Sequence, residues 1–189
     1  MKLNGKTILF ILILVVVTTI CKYFFGPEPG WSGFSPVIAI ALFSGFILKE
    51  RDRSFFLPLI ALFISDLVIH LLYKWGPFEY PGFYSGQWKN YLILLTATLI
   101  GWLLKGRSRA SLLAGAIIAP TVFFLLSNFN VWMATTEVVY SKDFSGLMSC
   151  YAAGLPFYKN ALIATLVFLP GIMFLYNYLT RNRRELTLA

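Results

Sequence analysis

Residues 55–72 read FFLPLIALFISDLVIHLL, an apolar run whose ionisable members are Asp66 and, one helical turn later, His70, the sole histidine of the chain. At about 1.5 Å per residue a helix of this length spans roughly 27 Å, close to the hydrocarbon thickness of a bilayer. The run therefore reads as a transmembrane helix with an acid inside it. A carboxylate at mid-bilayer costs upward of ~2.5 kcal/mol, so such a group faces the bundle interior or a cavity and has a partner. Which residue sits opposite Asp66 is the question around which the remaining sequence arranges itself.

The surrounding composition agrees with a membrane setting. The 189 residues are 58% hydrophobic and 13% charged, with a mean hydropathy of +0.74, far too apolar for a soluble domain of this size. One domain, residues 1–189, is expected. The net charge of +8 does not imply a nucleic-acid partner, because the basic residues fall between apolar runs instead of forming a stripe on a polar face. Lys2 and Lys6 precede an apolar core from Ile8 to Ile20 as in a signal peptide, but no small-x-small cleavage site follows, so the segment reads as the first transmembrane helix. Cys21 and Cys150 do not make a disulfide framework.

Outward from the Asp66 helix, the spans are expected at Ile8–Phe25, Phe34–Leu48, Phe55–Leu72, Tyr91–Leu104, Ala110–Leu126 and Asn160–Leu179, the last kinked at Pro170. Gly26-Pro27-Glu28-Pro29-Gly30 ends the first, since prolines and glycines there cannot continue a helix. The less apolar stretch Ser127–Tyr158 reads as short interfacial or re-entrant pieces around Val131–Thr135 and Gly146–Leu155. The fold class is thus all-α, a polytopic membrane protein of six transmembrane helices.

Six spans place both termini on one side. That side carries Lys2, Lys6, Lys49, Arg51, Arg53, Lys105, Arg107, Arg109, Arg181, Arg183 and Arg184, eleven of the sixteen basic residues. By the positive-inside rule both termini are cytoplasmic. The outer connections are then the long ones, and they hold Trp31, Trp75, Trp88 and Trp132, four of the five tryptophans. Aromatic residues collect at every membrane interface, but here they collect on one side, above Asp66. Apolar walls with a few placed polar groups are what a small-molecule site is made of. His70, four residues on, falls on the same helical face as Asp66, and a hydrogen bond between the two is an expectation.

Enzyme templates are absent: no HExxH, GxSxG or Walker loop occurs, and no span carries a pair of acids at helical spacing. The chain is not expected to be an enzyme. A channel calls for polar residues recurring along several spans, and only the third has them.

Four stretches carry a family resemblance: Phe34-Ser35-Pro36-Val37 followed by Ala41-Leu42-Phe43-Ser44-Gly45; Pro58-Leu59-Ile60-Ala61-Leu62 with Ser65-Asp66-Leu67; Ser127-Asn128-Phe129-Asn130-Val131-Trp132; and Gly146-Leu147 with Cys150-Tyr151, then Leu155-Pro156-Phe157-Tyr158-Lys159-Asn160. In order, they resemble the small six-helix bacterial membrane proteins that include the solitary cobalamin transporters (BtuM-like), relatives of the substrate-binding S components of energy-coupling-factor (ECF) vitamin transporters. The resemblance implies an S-component-like bundle with a vitamin-sized pocket opening outward under the loops after helices one, three and five. It also implies that Asp66 is the acid of an SDL motif, Tyr84 an aromatic of the cap, and Lys159 the basic residue beside an LPF motif. The chain departs from the pattern where the cobalamin members present a cobalt-ligating cysteine: residues 73–88 contain none, and the position falls near Glu79. His70 is the conceivable replacement as cobalt ligand. Helix one has no Ala or Gly, whereas S components that share an energising module dock through small residues there. A solitary protein is the expectation, or a module recognised differently.

The reading is a substrate-binding and uptake protein of the bacterial cytoplasmic (inner) membrane for a small nutrient, with cobalamin or another corrinoid the first candidate. Substrate is expected to stack on Trp75, Tyr84, Trp88 and Trp132, to hydrogen-bond Asn128 and Asn130, and to meet an Asp66–Lys159 polar pair, with His70 reaching the cobalt. The alternative is a non-transporting membrane subunit whose aromatic outer loops bind a partner protein, which predicts a flat or filled outer face.

Overall fold

The computed structural model describes residues 5–48, 51–105 and 108–181. Among these the protein is all-helical, with α1 (Gly5–Phe25), α2 (Val37–Ile47), α3 (Arg51–Trp75), α4 (Gln87–Leu103), α5 (Arg109–Ala134) and α6 (Phe144–Arg181). Four helices, α1, α3, α5 and α6, contain stretches long and apolar enough to cross a membrane, as in a multi-pass membrane protein. Of the basic residues used to orient the chain, Lys2, Lys49, Arg107, Arg183 and Arg184 lie outside the described residues.

The axle of the bundle is α2. Its residues from Ile38 to Gly45 are buried without interruption, the pattern of a helix that is apolar all round and enclosed by its neighbours. It packs against α3, α4, α5 and α6. Its 11 residues extend only about 16 Å, too short to span a bilayer by itself, so its hydrophobicity serves the protein core. The crossing of α2 and α4 is a backbone contact: a Cβ on Gly45 would lie 2.0 Å from the Thr98 carbonyl oxygen, and one on Gly101 would lie 2.2 Å from that of Leu42. Only glycine fits at either place.

Proline runs through three of the long helices, and at Pro58 the lost hydrogen bond is repaired across the bundle. Pro58 has no N–H for the Ser54 carbonyl one turn back. The Ser44 hydroxyl of α2 donates to that carbonyl instead, at 2.8 Å. The repair lets α3 continue through Pro58 to Trp75.

Two expected boundaries change. The pieces read as interfacial or re-entrant around residues 131–135 and 146–155 are continuations of the long helices: α5 runs to Ala134 and α6 starts at Phe144. Asp143 caps the new start, accepting from the Gly146 backbone N–H at 2.8 Å and from the Ser141 hydroxyl at 2.7 Å. These bonds hold its carboxyl below the usual value, the backbone donor contributing most. The 38 residues of α6 span about 57 Å, more than the ~40–45 Å of a bilayer with its headgroups. Of the polar and aromatic residues that lowered the hydropathy of this stretch, Asn128, Asn130, Trp132, Tyr151 and Tyr158 sit on these helices, and those from Thr135 to Asp143 form the connection between them.

The ends of the bundle are tied separately. At one, the Lys6 ammonium donates to the Leu179 carbonyl at 3.2 Å, joining the start of α1 to the last turns of α6, and Lys105 donates to the Leu48 carbonyl at 2.6 Å, joining the end of α4 to that of α2. At the other, the Asn160 side chain donates to the Gly30 and Ser32 carbonyls, both at 2.9 Å, fastening the α1–α2 loop to the middle of α6.

Candidate functional site

At the end opposite the termini the helices enclose a cavity of about 580 Å³. Every helix contributes to it: Lys22 from α1, Ile38 from α2, Asp66 and Ile69 from α3, Gln87 and Tyr91 from α4, Phe123, Phe124 and Asn128 from α5, and Phe157, Tyr158 and Ala161 from α6, with the α3–α4 loop supplying Phe78, Tyr80, Gly82 and Tyr84. Nine of its 28 lining residues are Phe or Tyr.

Asp66 forms the polar floor. Its Oδ1 accepts from the Lys22 ammonium in an ion pair that is 20% exposed on the lysine side chain and 8% on the aspartate. Its Oδ2 accepts from Gln87 Nε2 at 2.7 Å and from the Tyr91 hydroxyl at 2.5 Å. Lys22 also donates to the Ser65 hydroxyl at 2.8 Å, which in turn donates to the Leu62 carbonyl at 2.7 Å. Gln87 is itself held at both ends of its amide, donating to the Gly82 carbonyl at 3.1 Å and accepting from the Tyr84 backbone N–H at 3.1 Å. One carboxylate thus binds α1, α3 and α4 together and fixes the α3–α4 loop. Burying it is tolerable because the charge is paired and its lone pairs are occupied.

Gly82 lets that loop reach the floor. A Cβ there would lie 2.0 Å from the Asp66 carbonyl oxygen and 2.5 Å from the His70 backbone nitrogen, so the loop descends onto α3 only because the residue has no side chain. On the other side of the mouth Gly33, at φ +88°, packs against the Phe157 backbone. This left-handed conformation favours glycine.

The structure brings together Asp66, Tyr84 and Asn128 of the expected site residues, all of which line the cavity. The expected Asp66–Lys159 pair does not form: the partner is Lys22, from the last turn of α1, and Lys159 is exposed on α6. The reason is geometric, because α3 packs directly on α1 and the next pocket-facing residues on α6 are Tyr158 and Ala161. His70 does not line the cavity and gives Asp66 no bond; its ring lies by Phe83 and Tyr73, centroids 5.5 and 6.3 Å away, with Nδ1 buried and unpartnered. Trp75 and Trp88 are 74% and 61% exposed at helix ends, the placement of interfacial tryptophans. Trp132 and Asn130 also lie off the cavity, and Trp132 donates to the Ser141 carbonyl at 2.9 Å to tie the α5–α6 turn.

Lys22, Gln87 and Tyr91 are the site residues that sequence reasoning missed. Their signals are a single lysine inside an otherwise apolar first span, and a Gln-x-x-x-Tyr pair one turn apart at the start of α4. Among the described residues, no three His, Cys, Asp or Glu side chains come together to hold a metal ion.

Residues 2–186 match the model of a family described only as a family of unknown function, DUF6580. No curated protein and no solved structure matches the chain.

Proposed function

The chain thus belongs to the DUF6580 family, whose function is unknown, and from its geometry we propose that it is a membrane protein that binds a small nutrient in this cavity and carries it inward. In this reading all six helices cross or fill the bilayer, both termini are cytoplasmic, and the membrane is the bacterial inner membrane. The observation that carries the proposal is the cavity: an aromatic-walled chamber with a satisfied ion pair in its floor, open at the end opposite the termini. Its volume of about 580 Å³ falls within the ~300–1,000 Å³ of sites that enclose drug-sized ligands. A corrinoid with its nucleotide arm is larger than such ligands and enters only in part. The substrate proposed is therefore a smaller, vitamin-sized molecule, with the corrinoid suggested by the family resemblance as the upper limit. A protein-docking subunit calls for a flat or filled outer face, which the chamber disfavours.

The test is transport by cells. Cells producing the wild-type protein, and cells producing Ala161→Trp, which fills the chamber from α6, are grown in a defined vitamin mixture that includes cobalamin. The media are then compared by mass spectrometry. Depletion of one small molecule by wild-type cells alone is expected; equal depletion of every compound by both contradicts the proposal.

A further inference from the structure

The chamber's charge balance narrows what it holds. Of its lining residues only Lys22 and Asp66 are charged at neutral pH, and they neutralise each other through the ion pair. The carboxylate already accepts from Lys22, Gln87 and Tyr91. An ionised ligand entering here sheds its water and finds no free counter-charge; an anion that shares Lys22 with Asp66 leaves one cation facing two anions. Either route carries the penalty of an unpaired buried charge.

The walls favour flat rings. Phe124 packs against Tyr158 with centroids 4.9 Å apart and planes inclined at 34°. Phe34, Phe78, Phe123 and Phe157 add faces and edges around the same space, the surroundings in which aromatic rings stack offset or edge-on. Hydrogen-bonding capacity remains, but of a neutral kind. The Ser35 hydroxyl lines the chamber, buried and without a partner. Asn128, also on the wall, donates its amide to the Phe124 carbonyl at 2.9 Å and packs its side chain against Gly154 of α6. The Lys22 ammonium makes two bonds, to Asp66 and Ser65, and has a third N–H to offer.

We propose that the ligand is a neutral, flat aromatic heterocycle with hydrogen-bonding groups on its rim, and that the chamber rejects its ionised analogues. The proposal rests on the small-molecule reading above and adds to it the substrate's charge and shape. The test uses the full chain in lipid nanodiscs and isosteric pairs differing in charge: nicotinamide against nicotinate, and indole-3-acetamide against indole-3-acetate. Equilibrium dialysis should give at least about tenfold tighter binding of the amide in a pair that binds, a difference of ~1.4 kcal/mol, with binding lost in Ala161→Trp. Asp66→Asn keeps the shape of the floor and leaves the Lys22 cation uncompensated, so the preference should reverse toward the carboxylate.

Equal or tighter binding of the carboxylates by the wild-type chain overturns the proposal. If no pair binds, the compound retained by the purified protein decides: a neutral aromatic supports the proposal, whereas a charged or non-aromatic small molecule overturns it while leaving the uptake reading intact. No retained compound and no binding from the panel overturn both.

Discussion

Lys22→Met removes the ammonium opposite Asp66 while keeping most of the side chain's length and apolar bulk. Breaking a buried pair by deleting one partner typically costs ~3–5 kcal/mol, because the other charge stays behind. Lys22 is 20% exposed and Asp66 8%, and Gln87 and Tyr91 continue to donate to the carboxylate, so the low end, about 3 kcal/mol, applies here. For a chain of 189 residues that corresponds to roughly 6–12 °C in Tm. Cys21 and Cys150 are both free and buried, which makes a thiol-reactive fluorescent dye a direct reporter of unfolding in detergent. The double variant Lys22→Met/Asp66→Asn removes both charges and leaves the floor an oxygen to accept from Tyr91 or Gln87. About 2 kcal/mol of the loss should return, a coupling typical of residues in direct contact. A single variant as stable as the wild type, or a double variant no better than the sum of its singles, refutes the assignment of Lys22 as the partner of Asp66.

Further expectations bear on other parts of the structure. Gly45→Ala drives a Cβ to 2.0 Å from the Thr98 carbonyl oxygen and should lower stability by at least ~1–3 kcal/mol, whereas Gly171→Ala, with nothing within 4 Å, should leave stability unchanged or raise it by the ~0.5–1 kcal/mol gained on replacing a mid-helix glycine, both read from thermal unfolding. Gly82→Ala should detach the α3–α4 loop from α3, seen as faster amide exchange at residues 80–87 with α2 and α6 unaffected. Asp143 is held below its usual pKa by the Gly146 N–H and the Ser141 hydroxyl. Its cap is therefore fully present above the ordinary carboxyl range and lost as pH falls through the lowered folded value. Amide exchange in the first turn of α6 should quicken over that window, and Asp143→Ala should remove the pH dependence.

Much of the helical architecture was legible because apolar runs of bilayer length have few alternative structures. The Asp66 helix, its inward-facing acid and the aromatic side of the chain follow from residues 55–88 alone. The partner of Asp66 was not legible, because pairing depends on which helices touch. Lys22 reads as one more interfacial lysine until α1 is laid against α3. The α5–α6 hairpin misled for another reason. Asn128, Tyr151 and Tyr158 lower the hydropathy of their segments, yet Asn128 and Tyr158 face a chamber and Tyr151 donates to the Leu125 carbonyl at 3.1 Å. Hydropathy measures lipid exposure, and these residues answer to the protein's own interior. Interfacial tryptophans made the opposite error: Trp75 and Trp88 looked like a binding wall and point to the surroundings instead, while the chamber is walled by Phe and Tyr.

The most direct measurement is native mass spectrometry of the intact protein released from nanodiscs without added ligand. The account predicts a stoichiometric adduct of a few hundred daltons on the wild-type chain, absent from Ala161→Trp. Bare protein, or an adduct with the mass of a phospholipid in both variants, contradicts it.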